Sequence, residues 1–295
     1  MPADWAARAA SLADRSAEPA RPRDAATVML LRPAAVSRAA VDGHTADGSR
    51  TADDGRTAAG GLEVYMLRRK QSMPFAPGAS VFPGGSVDRR DSDSEVAWSG
   101  PGVAQWARWL GTSAELARGL LCAAVRETFE ESGVLLAGPA AGGVTLPPAA
   151  ELEPDRLALL DRSLSLAEML ARRGLVLRSD LLKPWAQWIT PAAETRRYDA
   201  RFFAALLPAG QQTADIRDEA DQVGWLPPAD VLAAAARREV TLMPPTAVTL
   251  AELAACPDVA AVFAAPRQVT PLLPEVVVED GQAWLTMPAG LEYPI

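Results

Sequence analysis

The sequence predicts a protein that combines β-strands with α-helices, and two kinds of apolar pattern carry this prediction. Short apolar runs bounded by Gly, Pro or charged residues are typical of strands, whereas apolar residues recurring every three or four positions are typical of helices. The 295 residues, of which 49% are hydrophobic, are enough for a sizeable core in one large domain or two small ones.

Two strands are predicted in the first quarter of the chain. Residues 26–36 (ATVMLLRPAAV) and 62–69 (LEVYMLRR) carry the short apolar runs. Residues 41–61 between them are rich in Gly, Asp and Thr and lack a periodic apolar pattern, which predicts a flexible loop. Residues 1–24, rich in Ala, Arg, Ser and Pro, are predicted to form a flexible tail.

The clearest helical pattern begins near Ser113 and ends at Gly133. Apolar residues recur there at helical intervals, and Thr112 and Glu115 have the spacing of a capping box. Residues 88–111 before it contain charged and Trp-bearing pieces that do not continue a strand. This stretch is predicted to be an inserted loop with a short helix.

Further elements are predicted downstream. They are one or two helices over residues 151–173, strands over 185–190 and 198–207, and a helix over 228–239. Residues 256–295 form a C-terminal extension, which is predicted to end in a hairpin around Asp280-Gly281.

Charge and composition exclude several classes of function. With 29 Lys and Arg against 37 Asp and Glu, the formal charge is −8, which argues against a nucleic-acid polymer as partner. No apolar run approaches the roughly 18 residues of a membrane helix, and the N-terminus lacks an apolar signal segment. We therefore expect a soluble, cytoplasmic protein with no membrane partner.

Cysteine and histidine are too scarce for several kinds of site. The two cysteines, Cys122 and Cys256, cannot build a disulfide framework or a structural zinc cluster. The single histidine, His44, falls in the predicted flexible loop, which does not hold an imidazole in the fixed geometry that nucleophilic catalysis needs. We therefore expect the chemistry to come from carboxylates, arginines and metal ions.

Three glutamates share one face of the helix predicted from Ser113. Glu127, Glu130 and Glu131 stand at positions i, i+3 and i+4. Such like charges repel one another unless a cation lies among them, and Mg²⁺ or Mn²⁺ prefers hard oxygen ligands of this kind. A solvated acidic helix face would give the same spacing, so the neighbouring motifs decide between the two interpretations.

Those motifs resemble a known family. The run from Arg126 to Val134 (RETFEESGV) is similar to the second half of the Nudix box, and Phe82-Pro83-Gly84-Gly85 resembles its opening. The chain therefore resembles the Nudix hydrolases. Gly85 and Arg126 stand 41 positions apart, much farther than in the usual box, so the box is split by the insertion at 88–111.

A split box resembles the branch of the family typified by a mammalian peroxisomal coenzyme A diphosphatase. The pieces MPFAPGASVFPGG, WAQWITPAAETRRYDARFF and VGWLPPADVL are also similar to that branch, and the resemblance covers roughly residues 26–250. It implies an α/β fold, the Nudix α/β/α sandwich with a mixed β-sheet. The Nudix domain would span 25–255, with the insertion inside the box and an extension at each end.

Two positions depart from the usual box. The glutamate that normally stands eight residues before the arginine is replaced by Arg118, and the nearest acid is Glu115. Thr128 replaces an aliphatic residue. Neither change touches the three glutamates.

The resemblance implies an enzyme that hydrolyses a phosphorus-containing acid anhydride. Its substrate would be a nucleoside-diphosphate derivative, with coenzyme A or an acyl-coenzyme A as the first expectation, and its cofactor Mg²⁺ or Mn²⁺. By resemblance Glu127, Glu130, Glu131 and the Gly85 carbonyl are the metal ligands, and Arg126 orients Glu127. The general base would come from the box or from a later loop, where Glu219 is the candidate, although an ordinary loop acid would look the same.

Three arginines are candidates for binding phosphate, because guanidinium groups pair with phosphate in a bidentate manner. Arg196 and Arg197 precede a predicted strand, and a structural ion pair with Asp199 or Glu194 is the alternative. Arg69 ends the strand before the glycine-rich loop and is a weaker candidate.

Aromatic residues are candidates for stacking on a base. Phe82 and the pair Trp185 and Trp188 could serve, but aromatic residues in strands more often belong to the core.

Other functions stay open at this point. The substrate could be ADP-ribose, a dinucleotide such as NADH, or a nucleoside triphosphate. A module that senses a nucleotide without cleaving it is the alternative from another class, and the intact glutamates argue against it. Many Nudix enzymes are homodimers, but the sequence carries no interface signature.

Overall fold

The computed structural model describes residues 5–14, 16–34, 61–73, 76–93, 96–140, 146–214, 216, 220–280, 282–288, 290–291 and 294. Their helices are α1 (Trp5–Ala13), α2 (Arg89–Asp93), α3 (Val103–Leu110), α4 (Ala114–Ser132), α5 (Ala149–Leu160), α6 (Leu166–Arg173), α7 (Pro228–Ala236), α8 (Pro244–Ala254) and α9 (Val259–Ala264). Their strands are β1 (Arg23–Pro33), β2 (Leu62–Arg69), β3 (Ala79–Val81), β4 (Gly84–Ser86), β5 (Trp98–Ser99), β6 (Ala137–Pro139), β7 (Leu175–Arg178), β8 (Leu182–Ile189), β9 (Tyr198–Leu206), β10 (Ala220–Leu226), β11 (Thr241–Leu242), β12 (Pro271–Leu272), β13 (Glu275–Glu279) and β14 (Gln282–Thr286). The predicted loop 41–61, which contains His44, lies outside the described residues except for Gly61.

A mixed β-sheet forms the centre of the fold. Its strands follow the order β11-β3-β2-β1-β9-β8-β12, with β4 added to β1 and β10 added to β2. β1 runs parallel to β9 and antiparallel to β2 and β4. This central place explains why β1 is an almost continuous apolar run, since both of its faces are covered.

Helices cover both faces of this sheet. Successive side chains of β1 point to opposite faces. Val28 and Leu30 belong to the core cluster that contains α3, α4, α5 and α6. Met29 and Leu31 belong to the cluster that contains α7, α8 and α9. The predicted α/β/α sandwich with a mixed sheet is therefore confirmed.

Most of the elements predicted from local patterns are present, with small shifts of their ends. The helix predicted from Ser113 is α4, but its cap differs from the predicted one. The side chain of Ser113, and not that of Thr112, accepts a hydrogen bond from the backbone N–H of Leu116 at 3.1 Å. The stretch 151–173 forms two helices, α5 and α6.

The insertion at 88–111 is packed structure, where the sequence predicted a loop with one short helix. It contains α2, β5 and α3. Trp106 of α3 is fully buried, and its ring lies 6.0 Å from that of Phe203 on β9. The insertion therefore adds to the core on the α4 side of the sheet.

The predicted N-terminal tail also differs from the structure. Within it, α1 packs against β13 and β14. Trp5 is buried, and its indole N–H donates to a carboxylate oxygen of Glu194 at 3.0 Å. Arg8 donates to the carbonyl oxygen of Ala193 at 2.7 Å. These contacts fix α1 beside the sheet.

The C-terminal extension shares the same core. Val259 and Val262 of α9 are buried in the cluster formed with α7 and α8, and β12 pairs with β8. In the hairpin β13–β14, Glu279 pairs with Gln282, which confirms the predicted turn around Asp280; Gly281 itself is outside the described residues. None of the helices in the described ranges is long and apolar enough to cross a membrane. The cytoplasmic location stays a prediction.

Candidate active site

Two glycines of β4 face the glutamates of α4. Gly84 and Gly85 of β4 pair with β1, and the backbone N–H of Gly84 donates to a carboxylate oxygen of Glu131 at 2.9 Å. A Cβ atom at Gly85 would lie 2.4 Å from Oε1 of Glu127. Only glycine leaves room for this approach. The fold therefore rejoins the two halves of the split box.

Arg126 links the glutamates to the insertion. Its Nη1 atom donates to Oε1 of Glu127 at 2.7 Å and to Oε2 of Glu130 at 3.3 Å. Its Nε and Nη2 atoms donate to the two carboxylate oxygens of Asp91 at 3.1 and 2.9 Å. The expected contact between Arg126 and Glu127 is thus present, in a site from which water is largely excluded.

Asp91 was not predicted from the sequence. It lies on α2 of the insertion and is 4% exposed. The position where the box usually carries a glutamate is Arg118, whose guanidinium lies 5.4 Å from the ring of Trp98. Asp91 therefore supplies Arg126 with a buried acidic partner from outside the usual motif. Asp91 stands in the run DRRDSDSE, which contains several acidic residues, and nothing in the sequence distinguishes Asp91 from them.

The buried carboxylates outnumber their cation. Asp91, Glu127 and Glu130 all contact the single guanidinium of Arg126. Burial raises the pKa of Glu127 to about 7, and repulsion from Glu130 adds to this while Arg126 opposes it. Burial also raises the pKa of Glu130. The site therefore carries unbalanced negative charge.

This donor set fits a hard divalent cation such as Mg²⁺ or Mn²⁺. It consists of carboxylate oxygens with excess negative charge, and Mg²⁺ is bound in proteins by such groups. In the described part of the chain, no three Asp, Glu, His or Cys side chains lie close enough together to coordinate one metal ion. The carboxylates of Glu127 and Glu131 are instead hydrogen-bonded to Arg126 and to the amide of Gly84. Glu127, Glu130 and Glu131 are the side chains that could hold the ion.

The glutamates open onto a cavity of about 820 Å³. Its lining includes most of the residues singled out from the sequence, and these are Arg69, Phe82, Gly85, Glu127, Glu130, Glu131, Trp188 and Arg196. A cavity of this size lies within the range of roughly 300–1,000 Å³ that is typical of small-molecule sites. The predicted ligands and substrate contacts are therefore brought together at one place.

Arg197 is an exception among the predicted phosphate contacts. It is buried, and it donates to the carbonyl oxygens of Thr190 at 3.0 Å and Ala20 at 2.7 Å. Burial lowers its pKa. Arg197 therefore ties backbone segments together and is not part of the cavity lining. The ion pair considered for it, with Asp199, is made by Arg201 at 2.9 Å.

The aromatic candidates divide in the same way. Phe82 lines the cavity and also packs edge-on against Phe202, with ring centroids 6.4 Å apart. Trp185 belongs to the core, where its N–H donates to Glu252 at 2.7 Å and the guanidinium of Arg267 lies 3.6 Å from its ring centre. Trp185 therefore has the core role that was the alternative to base stacking.

The candidate general base, Glu219, lies outside the described residues. Ile216 and Ala220, on either side of it in the sequence, both line the cavity. Its role stays a prediction.

Comparisons with known proteins agree with this geometry. A family model described as the NUDT19 Nudix domain matches residues 112–253, beginning directly after the insertion. The acyl-coenzyme A diphosphatase NUDT19 of Gallus gallus is 28% identical over 232 residues, covering 65% of this chain and 61% of that protein. The corresponding protein of Homo sapiens is 30% identical over 224 residues, covering 63% and 59%. The chain thus spans about three-fifths of the length of these curated relatives.

A solved structure supports the fold independently. The crystal structure of a NUDIX hydrolase from Alicyclobacillus acidocaldarius aligns with a TM-score of 0.58 at 26% identity, covering 84% of this chain and 98% of that one. The two halves of the split box meet at one site in this fold. The chain therefore resembles the Nudix hydrolases in both sequence and fold.

Proposed function

We propose that the protein is a metal-dependent diphosphatase that cleaves the diphosphate linkage of coenzyme A or an acyl-coenzyme A. The observation that carries this proposal is the set of Glu127, Glu130 and Glu131 on α4, which faces Gly84-Gly85 at a cavity of substrate size. The relatives from Gallus gallus and Homo sapiens are acyl-coenzyme A diphosphatases, and this similarity supports the substrate class.

The proposed cofactor is Mg²⁺ or Mn²⁺, held by the three glutamates and the carbonyl of Gly85. When bound, such an ion neutralises the charge that develops during phosphoryl transfer. Arg126 keeps Glu127 in place through its 2.7 Å hydrogen bond, and the amide of Gly84 does the same for Glu131. These contacts hold the carboxylates in a fixed arrangement before the substrate arrives.

The substrate is proposed to enter with its diphosphate toward the glutamates. Arg196 and Arg69 line the same cavity and would bind phosphate oxygens by charge-assisted hydrogen bonds. Glu219 is proposed to take the proton of the attacking water, and Ile216 and Ala220, which precede and follow it in the sequence, line the cavity. A small nucleotide is the only partner this proposal needs, and homodimer formation stays open.

Turnover of a substrate panel tests the proposal. The panel contains coenzyme A, acetyl-coenzyme A, ADP-ribose, NADH and a nucleoside triphosphate, each with Mg²⁺, with Mn²⁺ or with EDTA. We expect metal-dependent release of 3′,5′-ADP and phosphopantetheine from coenzyme A. Cleavage of ADP-ribose or NADH alone would overturn the substrate assignment. Silence across the panel, together with thermal stabilisation by nucleotides, would favour a sensing module.

A matched pair of variants tests the site itself. Glu131→Gln removes a proposed ligand but keeps an oxygen for the Gly84 amide, and it is expected to lower kcat about a hundredfold or more. Glu115→Gln makes the same change at an exposed position in the first turn of the same helix and is expected to leave kcat unchanged. Equal activity of the two variants would overturn the assignment of the site.

A further inference from the structure

The cavity extends across the sheet, away from the glutamates. Four residues on adjacent strands pair in one row: Ser86 of β4 with Ala25 of β1, Ala25 with Ala200 of β9, and Ala200 with Trp188 of β8. All four line the cavity. Neighbouring strands lie about 4.8 Å apart, so the three steps cover about 14 Å. The cavity floor therefore reaches well beyond the place of the diphosphate.

Beyond this row of residues, elements from the N-terminal and C-terminal parts of the chain form the wall of the cavity. Trp5 of α1, Leu285 of β14 and Met287 just after it are part of the lining, together with Met243 and Pro244 at the start of α8. The large side chains of this wall are apolar. We call the space that they enclose the apolar arm.

The terminal elements of the wall hold one another in place. α1 packs against both strands of the hairpin, and the indole N–H of Trp5 donates to Glu194. Glu194, which is also part of the lining, therefore already has a hydrogen-bond partner. On β14 the side chains alternate, so that Leu285 is half-buried whereas Trp284 is 55% exposed. Leu285 thus belongs to the face of the hairpin that closes the cavity.

We propose that the apolar arm binds the acyl group of an acyl-coenzyme A, so that the protein favours acyl-coenzyme A over free coenzyme A. This inference rests on the proposed function and specifies the part of the substrate that the terminal elements recognise. In such a substrate the pantetheine arm separates the diphosphate from the thioester. With the diphosphate at the glutamates, the acyl group lies at the far end of the cavity.

The chemistry of the wall favours an acyl chain over a second nucleotide. A ribose or phosphate placed among Trp5, Leu285 and Met287 would lose hydrogen bonds to water, which is unfavourable. The polar group that contacts Trp5 is the carboxylate of Glu194, whose negative charge disfavours a phosphate there. A hydrocarbon chain gains from the same surroundings. Each fully buried methylene group is expected to strengthen binding roughly fourfold.

The test compares free, acetyl-, hexanoyl- and decanoyl-coenzyme A with the full-length protein, both in turnover and in equilibrium binding. Binding is measured by calorimetry in EDTA, where no turnover takes place. The variants are Leu285→Asp, the milder Leu285→Ala, and Trp284→Asp as the control on the opposite face of the same strand. Circular dichroism checks that each variant is folded.

In the unaltered protein we expect kcat/KM to rise with chain length, mainly through a lower KM. The ratio of kcat/KM for decanoyl-coenzyme A to that for free coenzyme A should fall about tenfold or more in L285D, less in L285A, and by no more than about twofold in W284D. Chain-length dependence that is absent, or that L285D and W284D reduce equally, would overturn the inference.

The two measurements separate this inference from the proposed function. Turnover of coenzyme A without any dependence on chain length would leave the proposed function standing and overturn the apolar arm. The opposite result is an absence of turnover, with binding in EDTA that still strengthens with chain length and weakens in L285D. It would overturn the proposed function and leave the apolar arm standing. Absence of both would overturn both.

Discussion

The replacement Asp91→Asn tests whether the insertion helps to build the active site. The carboxylate of Asp91 accepts two hydrogen bonds from the guanidinium of Arg126, at 3.1 and 2.9 Å, and one from the backbone N–H of Asp88 at 2.8 Å. Asparagine is nearly the same size, but it carries no charge and has only one acceptor oxygen. The change therefore removes at least one hydrogen bond that holds Arg126 in place, and it does not create a cavity.

The expected loss of stability follows from these contacts. A hydrogen bond to a charged group contributes about 1.5–3 kcal/mol, and at least one such bond to Arg126 is lost. Arg126 keeps Glu127 and Glu130 as partners, so its charge is not left uncompensated. We expect the free energy of unfolding to fall by about 2–3 kcal/mol.

Metal affinity and kcat are also expected to fall. Replacing a residue that orients a metal ligand typically costs 10–100-fold in metal affinity or activity. With fewer hydrogen bonds to residue 91, Arg126 holds Glu127 less firmly. We therefore expect the apparent affinity for Mn²⁺, measured by calorimetry, and the kcat with Mg²⁺ each to fall by about this factor.

Asp88→Asn is the matched control. Asp88 lies three positions earlier, caps α2 by accepting from the backbone N–H of Arg90 at 2.9 Å, and also pairs with the Arg90 side chain. Asparagine is an equally good N-cap residue, so this variant should stay within about 1 kcal/mol and twofold of the unaltered protein. If D91N and D88N bind Mn²⁺ and turn over equally well, the positioning role of Asp91 is refuted.

Three further predictions concern the glycine approach, the buried charge and the insertion. Gly85→Ala places a Cβ atom 2.4 Å from Oε1 of Glu127, so we expect turnover to fall by at least about tenfold while circular dichroism stays unchanged; normal turnover would contradict this contact. Glu127 has a folded pKa of about 7 against 4.5 for the ordinary side chain, so between these pH values the folded state binds the extra proton and stability falls as pH rises. In EDTA, urea unfolding at several pH values should show the stability of the unaltered protein falling by about 3 kcal/mol relative to Glu127→Gln over this range, and a constant difference would refute the shift. Trp106→Ala removes a fully buried side chain of the insertion and should cost about 3–5 kcal/mol in urea unfolding, whereas a loss below about 1 kcal/mol would show that the insertion is not part of the core.

The sequence predicts those elements of the fold whose signals are local. β2 is a compact apolar run, and α4 has an apolar repeat and ends at Gly133, which adopts the left-handed conformation. The packing of the termini and of the insertion has no such signal. The hydrogen bond from Trp5 to Glu194 joins residues 189 positions apart, and Trp106 is buried by a strand about a hundred positions downstream. Contacts of this kind depend on the whole fold.

The same distinction holds for the active site. Glu127, Glu130 and Glu131 could be predicted, because their spacing on one helix and the family motif coincide. Asp91 could not, since it reaches Arg126 across 35 positions and lies outside the motif. The role of Arg197 could not be predicted either, because its hydrogen-bond partners are backbone carbonyl groups, which every residue carries.

The insertion therefore strengthens the site that it interrupts. Lengthening the segment between the two halves of a box costs little, because the entropy of loop closure grows only logarithmically, by about 1 kcal/mol for a threefold longer segment. The insertion more than offsets this cost through the buried Trp106 and the two hydrogen bonds from Arg126 to Asp91. Arg118 stands at the usual glutamate position, and the buried acidic partner of Arg126 comes from α2. In an Asp91→Asn variant, glutamate restored at position 118 is not expected to replace the lost contact, since residue 118 lies two helical turns from Arg126 along α4.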